Sequence, residues 1–382
     1  MYLAWREMLF ARTRFILMGV VLALMSMLVV IISGLTAGLV NDGVSGLKAM
    51  ESDVIAFADG TQKDSAFTRS VVDASDAESF SQLEGVNQAT PLGLTIANAH
   101  NQDGTAVDLT LFGVEPDSFI APAGLPPIDT ARADGKPSNT KHDIILSSTL
   151  QDEGIEVGDT ITLGRLDIPL DVIGFTDNQR TFGHVDVAYL PLDIWQEVHA
   201  GGRHGEAVNP EAYEEASVIV ARTADKPDTD ALTERSGLDV RTLKESFDSS
   251  PGYTAEMMTL SMITWFLYVI AALVTGAFFL VWTIQRAGNI ATLRAMGATK
   301  SFLLRDSLGQ AVVILLVSIL AGALIAVGLG SLLEKTAMPY ATEFSAVING
   351  GLILFVAGLL GAFIAVVRVT RTNPLAALGE NR

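Results

Sequence analysis

Four stretches of the chain carry no charged residue: Phe15–Val40, Met257–Gln285, Ser307–Leu333 and Phe344–Val367. Each meets or passes the ~20 residues that a helix needs to cross a hydrocarbon layer ~30 Å thick. A buried helix of a water-soluble protein seldom stays uncharged for so long, so each stretch predicts a transmembrane helix. The first stretch follows Arg12 and Arg14. It is far longer than the roughly 7–15 apolar residues of a signal peptide and is expected to be an uncleaved anchor.

Between the first and second spans the pattern changes to short alternating runs. Strands are expected at Asp143–Ser147, Thr160–Leu163, Leu170–Phe175, Val185–Pro191 and Ser217–Ala221, and helices at Leu192–His199 and Asp228–Ser236. Ala121–Asn139, rich in Pro, Ala, Gly and Asp, is expected to be a surface loop. Thr242–Phe247 looks helical, Pro251-Gly252 interrupts it, and a helix restarts near Thr254 on its way into the second span. The fold class that follows is a membrane protein of four transmembrane α-helices, with a large α+β extracellular domain inserted between helices 1 and 2. The expected organisation is a cytoplasmic segment with helix 1 (1–41), the inserted domain (42–256), helix 2 (257–285), a cytoplasmic loop (286–306), helix 3 (307–333), a short extracellular loop (334–343), helix 4 (344–367) and a cytoplasmic tail (368–382).

Charge sets the orientation. The flanks Met1–Arg14, Arg286–Asp306 and Arg368–Arg382 hold ten basic residues against three acidic ones, and loops rich in Lys and Arg stay inside the cell. Both termini are therefore expected in the cytoplasm of a multi-pass plasma-membrane protein. The net charge is −18, yet residues 42–256 alone carry 38 acidic and 14 basic side chains, so the rest of the chain is positive. An acidic external domain does not suit nucleic acid. The chain has no Cys, which excludes disulfides, thiolate metal sites and a Cys nucleophile.

Catalytic motifs are missing from the sequence: it contains no phosphate loop, no nucleophile elbow and no zinc-protease helix. The uncharged spans weigh against a transporter run on an ion gradient, which keeps an ionisable residue in the membrane. Gly34 and Gly38 form a G-x-x-x-G step in span 1, a pattern that lets helices approach closely. It points to helix packing, within one chain or between two copies.

The most distinctive stretch is Ile290-Ala291-Thr292-Leu293-Arg294-Ala295-Met296-Gly297-Ala298. Ile290, Leu293 and Met296 share a helical face, Gly297 can end the helix, and Thr299 can cap the next. Such a face suits a groove on a soluble partner or the lipid surface.

This stretch resembles the cytoplasmic signature of MacB/FtsX-type (type VII) ABC-transporter permeases. Arg371-Thr372-Asn373-Pro374-Leu375 is similar to that family's C-terminal ending, and Val157-Gly158-Asp159-Thr160 with Val172-Ile173-Gly174 to its external core. Met1–Met8, Ser33–Leu39 and Val281–Arg286 resemble the subgroup of DevC permeases and the haem-exporter permeases of Gram-positive bacteria. Asn289 stands where family members often carry an acidic residue, which puts that residue's contact with the ATPase in doubt.

The resemblance implies a non-catalytic permease that forms a homodimer and binds two copies of an ABC ATPase. Mg-ATP would be held by the ATPase, and no cofactor by the permease itself. Ile290, Leu293, Arg294, Ala295, Met296 and Gly297 would couple to the ATPase. The implied cargo is haem taken laterally from the membrane. Its candidate contacts are Tyr253, Glu256, Met257, Met258 and Met262, with iron ligation by Glu256 or Tyr253 and an opposing wall at Gly34, Ala37 and Gly38. The same family also contains mechanotransmission permeases that act on an external partner, and exporters of lipoproteins or peptides. Those readings stay open at this point.

Overall fold

The computed structural model describes residues 12–126, 142–224, 226–285, 299–334, 336 and 338–370. The chain forms two compact units, one of residues Val40–Glu256 and one of Met1–Leu39 with Met257–Arg382.

Four long helices run through the second unit: α1 (Arg12–Lys48), α4 (Tyr253–Gln285), α5 (Lys300–Leu333) and α6 (Phe344–Thr370), the last residues of α1 from Val40 and the first of α4 up to Glu256 being counted with the inserted unit. The shorter helices α2 (Leu192–His199) and α3 (Thr229–Ser236) belong to the inserted unit. All four long helices are long and apolar enough to cross a membrane. They are apolar on every side, and Leu17, Leu24, Phe266, Leu320, Leu324 and Ile364 remain exposed, as helices solvated by lipid do. α1 is longer than its uncharged stretch and runs on to Lys48, with helical backbone angles broken at Val44. α5 begins at the expected cap, where Thr299 accepts a hydrogen bond from the Phe302 N–H at 3.2 Å.

Small residues set the spacing of these helices. A Cβ added at Gly322 of α5 would lie 2.2 Å from the Ala23 carbonyl oxygen of α1. One added at Gly361 of α6 would lie 2.2 Å from the Ala272 oxygen of α4. The backbones touch because no side chain intervenes. Ser26 donates to the Ile319 carbonyl at 2.9 Å, and Trp282 to Gln310 at 3.3 Å. Phe15 meets Trp282 edge to face, with ring centroids 4.7 Å apart.

The inserted unit is built on a mixed sheet. Its strands are β1 (Val54–Phe57), β3 (Val86–His100), β4 (Ala106–Val114), β5 (Asp143–Leu146), β6 (Thr160–Leu163), β7 (Ile168–Phe175), β8 (Thr181–Phe182), β9 (Val185–Pro191), β11 (Val218–Thr223) and β12 (Asp239–Thr242). The order is β12-β1-β11-β3-β4-β9-β5-β7-β6, with β8 on β9; β2 (Val72–Asp73) and β10 (Glu215–Ala216) pair separately. β6 also pairs with β3 through Ala99 and Leu163. The six strands from β3 to β6 therefore close on themselves, which removes two sheet edges. Leu109, Leu111, Ile144, Ile161, Leu170 and Val172 fill the interior.

α2 covers this closed part. Trp195, 1% exposed, lies across Gly93 of β3 and Gly113 of β4, and its Nε1 donates to Thr95 at 3.0 Å. The helix is entered through Pro191, and the Asp193 carboxylate in its first turn accepts from the backbone N–H of Ile194. α3 lies within the expected range: Asp228 caps it by accepting from Ala231 N–H, and Gly237 closes it in the left-handed conformation.

Candidate functional site

Before α4, the chain is bent by local chemistry. Thr242 and Glu245 form a capping box, a short 3-10 turn covers Phe247–Ser249, and Gly252 takes φ +76°. The helix then starts at Tyr253, close to the expected restart. On the facing segment, β8 and β9 are joined by Gly183 (φ +58°) and His184 (φ +64°). A two-residue hairpin turn of this kind needs positive φ at both positions. Gly183 N–H donates to the Gly43 carbonyl at 2.9 Å, which seats the turn beside the end of α1.

The turn presents the His184 imidazole to two carboxylates. Nδ1 lies 2.8 Å from Oδ2 of Asp42, and Nε2 lies 3.1 Å from Oε2 of Glu256. Gln179 donates to the other oxygen of Asp42 at 2.9 Å, and Asn41 donates to Gln179 at 3.2 Å. Burial works against the charged imidazolium. The Asp42 hydrogen bond, then the charges of Glu256 and Asp42, outweigh it and hold His184 above its ordinary value. With a carboxylate at each nitrogen, the doubly protonated ring satisfies both. All these residues lie within the inserted unit.

Of the residues expected to contact haem, Tyr253 and Glu256 belong to the inserted unit, and Met257, Met258 and Met262 to the membrane unit. Tyr253 rests edge-on against Phe247, with centroids 6.1 Å apart. The Glu256 carboxylate is engaged by His184. Met258 and Met262 are exposed on α4. Among the described residues, no group of His, Asp and Glu is arranged to hold a metal ion. Asp42 and His184 escaped the sequence reading; the one local signal was Gly183-His184 between two short apolar runs.

Gly34 and Gly38, expected to serve helix packing, have Pro339 and Tyr340 of a loop as their nearest neighbours within the chain. A Cβ on Gly34 would fall 2.3 Å from the Tyr340 ring, and one on Gly38 would fall 2.2 Å from the Pro339 carbonyl oxygen. The wall expected at Gly34 and Gly38 is thus covered by the segment that joins α5 to α6. The residues expected to couple to the ATPase, Ile290 to Gly297, lie outside the described residues.

Elsewhere in the membrane unit, α4 and α6 bound an apolar groove of about 820 Å³, lined by Trp265, Tyr268, Leu273, Leu352, Val356 and Leu360 among others. It offers almost no polar surface.

Residues 261–374 match the family model of the FtsX-like permease C-terminal region. Along 379 residues, covering 99% of both chains, the sequence is 25% identical to a Staphylococcus haemolyticus protein whose name, hemin transport system permease protein HrtB, is itself provisional. A Staphylococcus epidermidis protein of the same name is 23% identical over the same share of both chains. An uncharacterised ABC transporter permease of Mycobacterium tuberculosis is 23% identical over 80% of this chain and 78% of its own. Among solved structures, the extracellular domain of the ABC-type transporter YknZ aligns with a TM-score of 0.33 at 13% identity, covering 50% of this chain and 98% of that domain. In its residues 261–374 the chain thus carries the FtsX-like permease C-terminal region, and along its whole length it is similar to ABC-transporter permeases named HrtB.

Proposed function

We propose that this permease exports haem from the plasma membrane, driven by a separate ABC ATPase that docks on its cytoplasmic side. The observation that carries the reading is the likeness to HrtB over 99% of both chains, since it includes the inserted domain as well as the shared membrane helices. The membrane helices agree with it. Their uncharged stretches offer no ionisable lining for a hydrophilic cargo. An apolar molecule such as haem partitions into lipid and can reach the helices from the side.

In this reading the permease works as a homodimer with two ATPases. Both termini and the 286–298 segment face the cytoplasm, and the acidic domain faces outward, as the placement of Lys and Arg supports. ATP binding draws the ATPases together and pulls on the Ile290–Leu293–Met296 face. The motion passes along the long helices to the outer side and expels the cargo. Met258 and Met262, soft apolar side chains exposed on α4, suit contact with a porphyrin ring, and Tyr253 and Glu256 supply oxygen atoms for its iron.

The test is to express the chain with an ABC ATPase encoded beside it in a haem-sensitive host. Haem tolerance and a Soret band on the purified complex are expected, and Leu293→Asp is expected to abolish tolerance. A complex with no Soret band and a tight external protein partner would replace haem export with a mechanotransmission role.

A further inference from the structure

The loop that covers Gly34 and Gly38 has an unusual occupant. Tyr340 is 8% exposed, and its ring is held between two glycine backbones. A Cβ on Gly34 of α1 would fall 2.3 Å from the ring's Cζ, and one on Gly330 of α5 would fall 2.7 Å from its Cε1. Neither position could carry a side chain with the ring in place. The space is a slot fitted to a flat aromatic group.

The hydroxyl at the end of that ring is buried and has no hydrogen-bond partner among the described residues. Losing water without gaining a partner is unfavourable, so the seat opposes the group that fills it. The chain that delivers Tyr340 has no regular structure from Met338 to Thr342. Among the described residues three hydrogen bonds hold it: Met338 N–H to the Thr336 hydroxyl at 3.3 Å, Ala341 N–H to the Gly34 carbonyl at 3.1 Å, and Thr342 N–H to the Glu334 carboxylate at 2.7 Å. Only the Ala341 bond ties this irregular segment to α1, so it can leave where a helix could not, and in leaving it would let the phenol regain a partner.

We propose that the slot between Gly34 and Gly330 is a binding seat for the flat edge of a porphyrin, and that Tyr340 occupies it as a displaceable plug in the empty permease. A round acyl chain has no need of two bare backbones facing one another; a planar ring does. The proposal rests on the reading of the cargo as haem and names where its ring goes. It leaves iron ligation to other groups, so a metal-free porphyrin is the fitting probe.

A competing plug lowers the apparent affinity by the fraction of time that the seat is closed. Two variants of Tyr340 therefore move binding in opposite directions. Tyr340→Ala empties the seat, and metal-free protoporphyrin IX is expected to bind the full chain in lipid nanodiscs about tenfold more tightly. Tyr340→Phe keeps the ring and removes the unpartnered hydroxyl, so the plug sits more firmly and binding weakens about fivefold or more. Adding Gly330→Val to Tyr340→Ala fills the seat and cancels the gain. Tyr340→Phe retains the shape of the native side chain, so this arm survives if the Ala variant fails to fold. Phe binding porphyrin as well as the native chain, or a folded Ala variant binding no better, overturns the seat. Haem protection of cells by the native complex is measured alongside. Its loss, with both Tyr340 responses intact, would sink the haem reading alone; its presence, with no Tyr340 response, would sink the seat alone.

Discussion

Nε2 of His184 lies 3.1 Å from Oε2 of Glu256, although 72 residues separate them. The other ring nitrogen holds Asp42, so one imidazole ties the end of α1 to the start of α4. Both carboxylates and the ring are partly exposed, which limits each pair to about 0.2–1 kcal/mol. A double-mutant cycle of His184→Asn with Glu256→Gln is expected to return a coupling in that range. Asn is the choice because it tolerates the positive φ at position 184. Strict additivity of the two melting-temperature changes would show that the contact contributes nothing.

Asp186 gives a pH dependence of known sign. Burial raises its carboxyl above the ordinary value, against hydrogen bonds from Thr149 and Ser147, while the charge of Asp42 adds to the rise. A raised carboxyl binds its proton more tightly in the folded chain. The stability it contributes is full below the unfolded value of 3.8 and lost as pH rises through the higher folded value. At neutral pH the charged form is therefore a burden. Asp186→Asn keeps an oxygen for Thr149 and removes the charge. Its melting temperature should exceed the native one at pH 7, and the gap should close toward pH 4. A gap that is constant across this range would refute the assignment.

Trp195 makes Gly93 and Gly113 irreplaceable. An added Cβ would fall 2.1 Å from the indole at Gly93 and 2.3 Å from the Trp195 Cβ at Gly113. Overpacking of this kind costs about 1–3 kcal/mol. Gly93→Ala should lower the melting temperature in the native background and cost little once Trp195→Ala has opened the space. Circular dichroism melts of the four chains test this. An equal loss in both backgrounds would mean that Gly93 is needed for its backbone and not for the indole.

The four spans were legible because charge is absent from them, and no tertiary contact is needed to see that. β7, β9, α2 and α3 were legible from alternation, capping and turn residues. The β3–β4 hairpin was not. Along Val86–His100, Gly93, Ala97, Asn98 and Ala99 dilute the apolar alternation; at Gly93 the reason is Trp195, which occupies the place where a side chain would sit. Asp42, His184 and Glu256 come together only through the hairpin turn and the bend at Gly252, so sequence spacing carries no trace of the cluster. Gly34 and Gly38 could be seen as a surface for close approach. That a loop would fill it, and with a tyrosine, depends on where Pro339 and Tyr340 land after α5 ends.

The membrane helices offer a comparison with an internal control. Gly361 of α6 stands against α4, where an added Cβ would lie 2.2 Å from the Ala272 oxygen and 3.2 Å from the Gly276 nitrogen. Backbone atoms cannot move aside as a flexible side chain can. Gly328 of α5 meets nothing within 4 Å. Lipid supplies no hydrophobic drive for helix association, so close packing has to hold the pair. Gly361→Leu should therefore separate α4 from α6 and lower the detergent melting temperature by the equivalent of about 1–3 kcal/mol or more. Gly328→Leu, an equal change in size and helix propensity, should leave it within about 0.5 kcal/mol of the native chain. If both variants melt alike, then helix composition and not the Gly361–Ala272 approach governs the stability of the membrane unit.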